Sequence, residues 1–438
     1  MRSNRPLRVA IYDPSGRGGV CHYTHQLAQN LALMGSDVTV VTTENYELKH
    51  LPRNFNIVFL FKKSRIKRFA LSWIAPVRWQ GSDHKESAFQ NGTHAGEKIP
   101  GLALLKNLRL RIIWLKAAFL FLWKRPHLIH FQWLVDRDQE YFFINLLKLL
   151  RFKIVYTVHD LLPEQCDAHP DHDALEKIYR KVDALIVHAE NNKREFVSTF
   201  EVDPEKIYVI PHGSNDLFYT DKRMSKEAAK EELGFFRGKK VILFFGLIKR
   251  YKGLEHLVEA FQEVKERLDN VALLIVGKIY DGDPEGFKYY SDLIGQLRGR
   301  EDILCVEDYI PLEKIALYFY ASDVVVLPYI SNYTSGVLLS AYAAGRPVVV
   351  TDTGGLKEGV EVGKSGFVVP PKDTKVLAQA IVETIKNRNQ NDEMGRYAKS
   401  LAENNYSWSS VASKTIALYR HLPMKSAMAD AASQLTVK

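Results

Sequence analysis

The sequence contains little cysteine and no long apolar run. Its 438 residues include three cysteines, Cys21, Cys166 and Cys305, whose spacing matches neither a disulfide framework nor a zinc site. They predict reduced thiols and a cytoplasmic protein. The most apolar stretch, residues 117–123, is far shorter than the roughly 20 residues that a membrane-spanning helix needs. The N-terminal segment lacks the apolar core of a signal peptide, so we expect no export by that route.

Positive charge is concentrated in one part of the sequence. The formal net charge is +9, yet residues 60–125 alone hold fourteen Lys or Arg and three Asp or Glu, with Trp, Phe, Leu and Ile between them. An amphipathic element on an anionic membrane surface has this composition, and so does a domain helix with a solvated basic edge. Both interpretations stay open. Nucleic acid is a weaker third, because no nucleic-acid-binding module accompanies the charge.

Short strand-like runs alternate with helical stretches along most of the chain. The alternation begins with "RVAIYD" and starts again with "KVILFFG" at residue 240. It predicts an α/β fold of two Rossmann-like, doubly wound parallel sheets that face a cleft. We predict one domain at 1–215, a second at 216–404 and a linker within 214–238. Residues 405–438 are predicted to form a C-terminal helix that packs back toward the first domain, followed by a tail. Ligands of such sheets bind beyond the carboxyl ends of the strands.

Glycines follow the first predicted strand, in "DPSGRGGVCHYTHQL". Gly18 and Gly19 let the backbone turn tightly and approach a ligand, and the following helix would direct free N–H groups at it. Cys21 stands where the dinucleotide fingerprint has its third glycine, so this segment is not that motif. A ligand-binding loop and a plain strand-to-helix turn both remain possible interpretations.

Cations and small-residue turns follow strands of the second half. "GLIKRYKG" begins at Gly246 and contains Lys249, Arg250 and Lys252, which suit a phosphate because charge-assisted hydrogen bonds are stronger than neutral ones. The turns "TSG" and "TGG" offer backbone amides at the ends of neighbouring elements. Together the three segments predict a diphosphate site. Each of them alone would also fit a solvated basic turn or a capped helix.

Histidines end three predicted strands of the first half. His159 in "YTVHDLLP" can orient a hydroxyl group or accept a proton near neutral pH, although a structural role is the common alternative. His130 and His188 end neighbouring strands. The "DRD" at 136–138 resembles a metal-binding carboxylate pair, but we expect a helix start there, where negative charge is favourable. We therefore predict no metal.

The order of these segments resembles family 4 of the retaining glycosyltransferases, which have the two-domain glycosyltransferase-B fold. The resemblance covers nearly the full chain, is dense from "FFGLIKRYKGLEHLVEAF" to "PVVVTDTGGLKEGVEVGKSGFVVP", and is weak only across 60–125. It implies a nucleotide-sugar donor as co-substrate, with no further cofactor. Lys252, with Lys249 or Arg250, would hold the donor diphosphate. The candidate donor-binding residues are Gly18, Gly19, Gly246, Lys249, Asn332, Thr334, Ser335, Gly336, Val337 and Ser340.

Two of these residues depart from the family. Its usual pair of glutamates, eight positions apart, falls on Asn332 and Ser340 here. The first glutamate normally holds sugar hydroxyls, and Asn can still donate and accept hydrogen bonds. The second normally holds the ribose diol, which Ser reaches less well. The departure puts the identity of the donor in question.

The resemblance also implies a mechanism. Cleaving the sugar–phosphate bond with retention builds negative charge on the leaving diphosphate, and fixed cations and amides stabilise that charge without a metal. In this sense Arg250 and Lys252 are predicted to be catalytic. His159, which matches a histidine of the family near the acceptor, would position the acceptor rather than attack.

The leading hypothesis is a transferase that moves a sugar from a nucleotide-sugar to a lipid-linked or polysaccharide acceptor. We expect it in the cytoplasm, without nucleic acid as a partner. In the membrane-binding interpretation of residues 60–125 it is peripheral on the inner face of the membrane. A catalytically silent nucleotide-sugar-binding or glycan-binding subunit is the alternative that Asn332 and Ser340 motivate. A sugar-phosphate synthase of the sucrose or trehalose type would share the fold, but no segment of the sequence indicates a distinct sugar-phosphate pocket.

Overall fold

The computed structural model describes residues 6–61, 100–161, 170–219, 224–331 and 335–422. Two compact units form within the chain. The first comprises Met1–Thr157, Glu164–Leu185 and Leu418–Lys438, and the second comprises Val158–Pro163 and Ile186–Ala417. The domain boundaries predicted after residues 215 and 404 stay a prediction.

The first sheet contains seven of the strands that the structure describes. They are β1 (Arg8–Tyr12), β2 (Asp37–Thr43), β3 (Asn56–Phe61), β4 (Leu128–Phe131), β5 (Lys153–Thr157), β6 (Ala184–Val187) and β7 (Ile207–Val209). Their order is β3-β2-β1-β4-β5-β6-β7, and β1 pairs in parallel with both β2 and β4. This is the strand order of a Rossmann fold with one strand added.

The described residues of this half of the chain form five helices: α1 (Gly18–Leu33), α2 (Pro100–Lys124), α3 (Arg137–Leu149), α4 (Pro170–Lys181) and α5 (Glu190–Thr199). Asp136 caps α3, because its carboxylate accepts a hydrogen bond from the Gln139 amide at 3.3 Å. Asp138 lies in the first turn of the same helix. The helix start predicted at 136–138 is therefore confirmed.

The second sheet contains six described strands, all paired in parallel. They are β8 (Lys240–Phe245), β9 (Val271–Val276), β10 (Ile303–Val306), β11 (Val324–Leu327), β12 (Val348–Thr351) and β13 (Gly366–Val369). Their order is β10-β9-β8-β11-β12-β13. The first strand of the half lies in the middle of the sheet, so the chain winds outward in both directions. The predicted pair of doubly wound parallel sheets is confirmed.

Apolar side chains cover both faces of the second sheet. Val241 and Leu243 of β8 belong to one buried cluster, whereas Ile242 and Phe244 belong to another. Successive side chains of a strand point to opposite faces, so a strand that is buried on both faces needs an uninterrupted apolar run. "KVILFF" is such a run.

Helices α6 to α13 follow in the second half: α6 (Lys226–Glu232), α7 (Leu254–Arg267), α8 (Pro284–Leu297), α9 (Leu312–Ala321), α10 (Gly336–Ala343), α11 (Thr374–Ile385), α12 (Arg388–Asn404) and α13 (Trp408–His421). The expected linker at 214–238 contains α6. Its Lys226 and Lys230 lie 2.8 and 2.7 Å from the Asp323 carboxylate. Burial alone would raise the pKa of Asp323, but the two cations outweigh it and lower the pKa. Helix α6 is thus folded onto the second half of the chain, beside the residue that precedes β11.

Within the described ranges, no helix combines the length and the apolar character that crossing a bilayer requires.

Candidate functional site

A glycine turn at the end of β8 brings two predicted site segments together. Gly246 has φ of 106°, a backbone conformation that favours glycine. A Cβ atom added to it would stand 2.9 Å from Lys252 Nζ and 3.7 Å from Val337 Cγ2. The "GLIKRYKG" segment therefore adjoins the first turn of α10, which begins at Gly336.

Lys252 supplies a buried positive charge at this turn. It ends the short 3-10 helix Arg250–Lys252 and is 8% exposed. Its Nζ lies 5.3 Å from the centroid of the Tyr329 ring, a cation–π distance. Desolvation raises the pKa of the nearby Asp160 carboxyl, and the positive charges of Lys249 and Lys252 partly offset the rise. A buried ammonium group without a direct ion pair in the described part of the chain is suited to an anionic ligand.

The other two cations of the segment have partners of their own. Arg250 Nε lies 2.6 Å from Asp283 Oδ2, and its Nη2 lies 3.3 Å from Glu285 Oε2. The hydrogen bond to Asp283 raises the pKa of Arg250. Lys249 Nζ lies over the Tyr280 ring, 4.5 Å from its centroid. The roles predicted for Lys249 and Arg250 stay predictions.

Helix α10 begins without a side-chain cap. Ser335 is its N-cap residue and makes no capping hydrogen bond; its Oγ lies 3.4 Å from the Tyr329 hydroxyl. The first amides of a helix have no partner within the helix and carry a partial positive charge, which makes such an end an anion site. Asn332 and Thr334 lie outside the described residues.

Ser340 is held inside the protein by Asn215. The Ser340 hydroxyl donates to the Gly336 carbonyl at 2.9 Å and accepts from Asn215 Nδ2 at 2.8 Å. Asn215 Nδ2 also donates to the Gly336 carbonyl at 3.0 Å. The Tyr219 hydroxyl donates to the Ser340 carbonyl at 2.6 Å. Ser340 is 3% exposed, so in this arrangement it anchors the first turn of α10 to the segment after β7.

Asn215 was not among the residues predicted from the sequence. Its only signal is a polar "HGSN" segment that follows the last strand of the first sheet. The partner residues are 121 and 125 positions away, and nothing local in the sequence joins them. An added Cβ at Gly336 would stand 3.3 Å from Asn215 Nδ2, so a side chain at Gly336 would crowd this contact.

Three histidines form a cluster in the second unit, and two of them, His159 and His188, are buried. His188 Nδ1 donates to the Ile210 carbonyl at 3.0 Å, and burial lowers the pKa of His188 to about 3. A neutral His188 whose Nδ1 carries the proton has a lone pair on Nε2. That atom lies 3.4 Å from His159 Nδ1, which orients the His159 ring. His159 is 7% exposed, and its predicted positioning role stays a prediction.

His212 extends this cluster to α10 and was not predicted. Its ring centroid lies 5.3 Å from that of His188, and burial lowers its pKa to about 4. His212 Nδ1 donates to the Gly213 carbonyl at 2.7 Å. Its Nε2 would lie 4.0 Å from a Cβ at Gly336. The histidine cluster and the start of α10 are therefore neighbours.

Gly18 and Gly19 lie in the first unit, at the start of α1. The Gly18 amide donates to the Glu47 carboxylate at 3.0 Å. A Cβ at Gly19 would meet nothing within 4 Å, so the loop does not require glycine there for space. One of the amides expected to face a ligand is bonded to a carboxylate of the chain itself.

The "TGG" turn is joined to the start of α5. The Gly354 carbonyl accepts from Asn191 Nδ2 at 2.9 Å. The two carboxylate oxygens of Glu358 accept from the amides of Glu190 and Asn191 at 2.8 and 2.5 Å. Negative charge is favourable at a helix N-terminus, so Glu358 caps α5. This contact was not predicted from the sequence.

A metal site is not evident in the described ranges, where no three His, Cys, Asp or Glu side chains form a group that could hold an ion. The predicted absence of a metal and of a further cofactor stays a prediction.

Two family models match adjacent parts of the chain. The model for glycosyl transferases group 1 matches residues 225–401, and the model for Glycosyltransferase Family 4 matches residues 17–216. Together they account for most of the sequence. The chain belongs to the group 1 and family 4 glycosyltransferases. The resemblance found in the sequence is thereby confirmed.

Curated relatives of this glycosyltransferase align over part of their length. The D-inositol 3-phosphate glycosyltransferase of Corynebacterium efficiens is 28% identical over 62% of this chain and 66% of its own length. The enzyme of the same name from Corynebacterium urealyticum is 30% identical over 57% of this chain and 59% of its own. The aligned region thus spans less than two thirds of either relative.

Solved structures share the fold of this glycosyltransferase. Sucrose-phosphate synthase from Thermosynechococcus elongatus superposes with a TM-score of 0.69 at 21% identity, covering 96% of this chain and 99% of that one. HepE of Anabaena, in complex with UDP-glucose, superposes with a TM-score of 0.69 at 16% identity, covering 95% and 100%. At such identities the likeness shows the fold alone, and the predicted glycosyltransferase-B fold is confirmed.

Proposed function

We propose that the chain transfers a sugar from a nucleotide-sugar donor whose diphosphate is held by Lys252 and the start of α10. The observation that carries this proposal is the turn at Gly246, where the buried Lys252 ammonium group and Val337 of α10 meet. A cation and a helix N-terminus at one point form a phosphate site. HepE, which shares the fold, was solved with UDP-glucose, which supports a nucleotide-sugar as the donor.

Stabilisation of the leaving group supplies the catalysis. Departure of the diphosphate places negative charge beside Lys252 and the α10 amides, which are fixed before the reaction begins. We propose that the configuration of the sugar is retained. The His188–Ile210 hydrogen bond fixes the tautomer of His188, and His188 in turn orients His159 to position the acceptor hydroxyl.

The acceptor that we propose is lipid-linked or part of a polysaccharide, reached at the cytosolic face of a membrane. Support comes from the composition of the first unit, in which residues 60–125 carry a formal charge of +11 and attract anionic surfaces. The names of the curated relatives point to D-inositol 3-phosphate as a further acceptor to test.

The test is nucleotide release by the full chain with UDP-, GDP- and ADP-sugars, each with lipid-linked, polysaccharide and D-inositol 3-phosphate acceptors. We expect turnover with one donor, and a loss of about 10²- to 10³-fold in kcat for Lys252→Ala, the range seen when one fixed stabilising donor is removed. NMR of the product identifies the anomeric configuration. Absence of turnover with every pair, or unchanged activity in Lys252→Ala, would contradict the proposal.

The alternative is a subunit that binds a nucleotide-sugar without turnover. Ser340 favours it, because its hydroxyl is engaged by Asn215 and Gly336 where the family has a glutamate. Saturable nucleotide binding together with no release would support this alternative. The double variant Asn332→Glu, Ser340→Glu then tests whether these two residues cause the lack of turnover. A gain of turnover would show that they do, and no change would weaken the alternative.

A further inference from the structure

Helix α2 in the first unit is apolar on two opposite sides. One side is buried in the unit, where Trp114 stacks on Phe143 of α3 with ring centroids 4.5 Å apart. Ala117, Ala118 and Phe121 lie on the same side, each less than 5% exposed. The opposite side carries five large apolar residues that face solvent, here called the apolar ridge: Ile112 (46% exposed), Leu115 (56%), Phe119 (73%), Leu122 (46%) and Trp123 (71%).

The spacing of the apolar ridge is helical. Steps of three, four and three residues lead from Ile112 through Leu115 and Phe119 to Leu122, so these side chains lie on one face, three turns long. A helix on the surface of a protein usually has a polar outer face, and one that is apolar all round belongs in a core or in lipid. Exposed contiguous apolar surface of this kind marks an interaction site.

The apolar surface continues onto α3. Phe142 is 43% exposed and Leu149 is 79% exposed, and their spacing of seven places them on one face of that helix. The Arg111 guanidinium lies 5.3 Å from the centroid of the Phe142 ring and so connects the two helices across the surface. Two adjacent helices thus present apolar side chains outward.

Every formal charge in the sequence of α2 and of the segment that follows it, up to residue 135, is positive. Residues 100–135 contain six Lys or Arg and no Asp or Glu. Arg111, Lys116, Lys124 and Arg125 are exposed, and Lys124 Nζ lies 5.1 Å from the centroid of the Trp123 ring. Long basic side chains beside exposed Trp, Phe and Leu are the composition of helices that lie in a membrane interface.

We propose that the apolar ridge docks onto an anionic lipid bilayer, with Phe119 and Trp123 among the acyl chains and the flanking cations at the headgroups. A second copy of this chain is a less suitable partner for the apolar ridge, because a two-fold symmetric contact would bring the positively charged side chains of the two copies together. The further statement that a lipid-linked acceptor reaches the enzyme at this surface rests on the proposed function. The docking of the apolar ridge onto the bilayer does not depend on that function.

Sedimentation of the full chain with vesicles tests the docking. The vesicles contain phosphatidylcholine alone or an equal mixture of phosphatidylcholine and phosphatidylglycerol, at low and high salt. We expect pelleting with the anionic vesicles and a loss of at least about tenfold in the partition coefficient for the double variant Phe119→Ser, Trp123→Ser, since two large apolar side chains leave the lipid. The double variant Lys116→Gln, Lys124→Gln should lose affinity mainly at low salt.

A matched control lies on α8 in the second unit. Phe287 and Tyr289 are 42% and 51% exposed, and Phe287→Ser with Tyr289→Ser should pellet like the wild type. Light scattering and nucleotide binding are measured on the same samples, and the variants of the apolar ridge should keep the mass and the nucleotide affinity of the wild type. If the wild type binds nucleotide but does not pellet with any vesicles, the docking proposal is overturned and the proposed function is not. A change from dimer to monomer in the Phe119→Ser, Trp123→Ser variant, without vesicle binding by the wild type, overturns it in favour of self-association.

Discussion

At the scale of single residues, the site depends on a few side chains whose burial controls their charge. Lys252 and His188 are both buried, but with opposite electrostatic consequences. The ammonium group lies beside a helix N-terminus without a direct ion pair in the described part of the chain, which suits an added anion. The imidazole is kept neutral by burial, which lowers its pKa, and a neutral ring can accept the hydrogen bond that orients His159.

The neutral state of His188 predicts a dependence of stability on pH. Its pKa is about 3 in the folded protein against 6.5 as the ordinary value, so the unfolded chain binds more protons in between. The contribution of the neutral His188 to the free energy of unfolding is therefore complete above pH 6.5 and is lost as the pH falls toward 3. Between pH 8 and pH 5 the wild type should lose about 2 kcal/mol more free energy of unfolding than His188→Gln.

Urea denaturation at the two pH values measures this difference, with the pH 8 value as the reference for the direct cost of the substitution. Parallel losses in the wild type and in His188→Gln would show that His188 is not held neutral by the fold.

Single residues were predictable where the chemistry is local. Lys252 and Gly246 stand six positions apart in one short segment, and their meeting follows from the turn. Asn215 and His212 were not predictable, because they act on a helix more than 120 positions away. The exposed ion pair of Arg250 with Asp283 was not predictable either. The residues near Arg250 in the sequence do not indicate that an acidic side chain 33 positions away would be its partner.

At the scale of elements, α10 is the part of the site that the fold has to hold in place. It is eight residues long, and an isolated helix of that length is not stable in water. Its first turn is bonded to the segment after β7 through Asn215, and its second turn through Tyr219. The position of the α10 amides therefore depends on residues outside the helix.

Asn215→Ala should loosen the first turn of α10, since two hydrogen bonds of about 1 kcal/mol each are lost. Binding must then order the turn at the expense of part of this energy, so we expect about tenfold weaker nucleoside diphosphate binding. Asn215→Asp is the close control in shape and should be equally impaired, because a carboxylate cannot donate to the Gly336 carbonyl. Tyr219→Phe removes the bond to the Ser340 carbonyl and leaves the first turn bonded, so we expect less than about a threefold effect. Calorimetric titration measures all three variants, and wild-type affinity in Asn215→Ala would contradict this role.

Elements with a clear apolar period were predictable, and short polar ones were not. The alternation of buried strands and helices indicated both sheets. Helix α6 was not predicted, because "KEAAKEE" is seven residues long and has little apolar surface. Its position depends on ion pairs with Asp323, which lies about 95 positions away in the sequence. The strand-to-helix turn at Gly18 was correctly placed, but nothing in the sequence indicated that Glu47 would accept from its amide.

At the scale of the whole molecule, each unit has a task of its own. The second unit joins the Gly246 turn, the α10 start and the histidine cluster, where we place the donor diphosphate. The first unit carries the apolar ridge of α2 and, in residues 100–135, only positive formal charges; there we place the membrane. A chain of this design would take a soluble donor through one unit and dock at an anionic surface through the other.

The contribution of Lys252 to diphosphate binding is the most direct test of the site. The nucleoside diphosphate that the wild type binds best among UDP, GDP and ADP is titrated by calorimetry against the wild type, Lys252→Ala and Arg250→Ala, with the corresponding nucleoside monophosphate in parallel. We predict that Lys252→Ala raises the Kd of the diphosphate at least tenfold and that of the monophosphate less, because charge-assisted bonds to the second phosphate are lost. Arg250→Ala tests the role predicted for its guanidinium, which is bonded to Asp283: a change in either Kd of less than about threefold would show that Arg250 does not hold the diphosphate. Equal affinity of the wild type and Lys252→Ala for the diphosphate would contradict a phosphate site at the Gly246 turn.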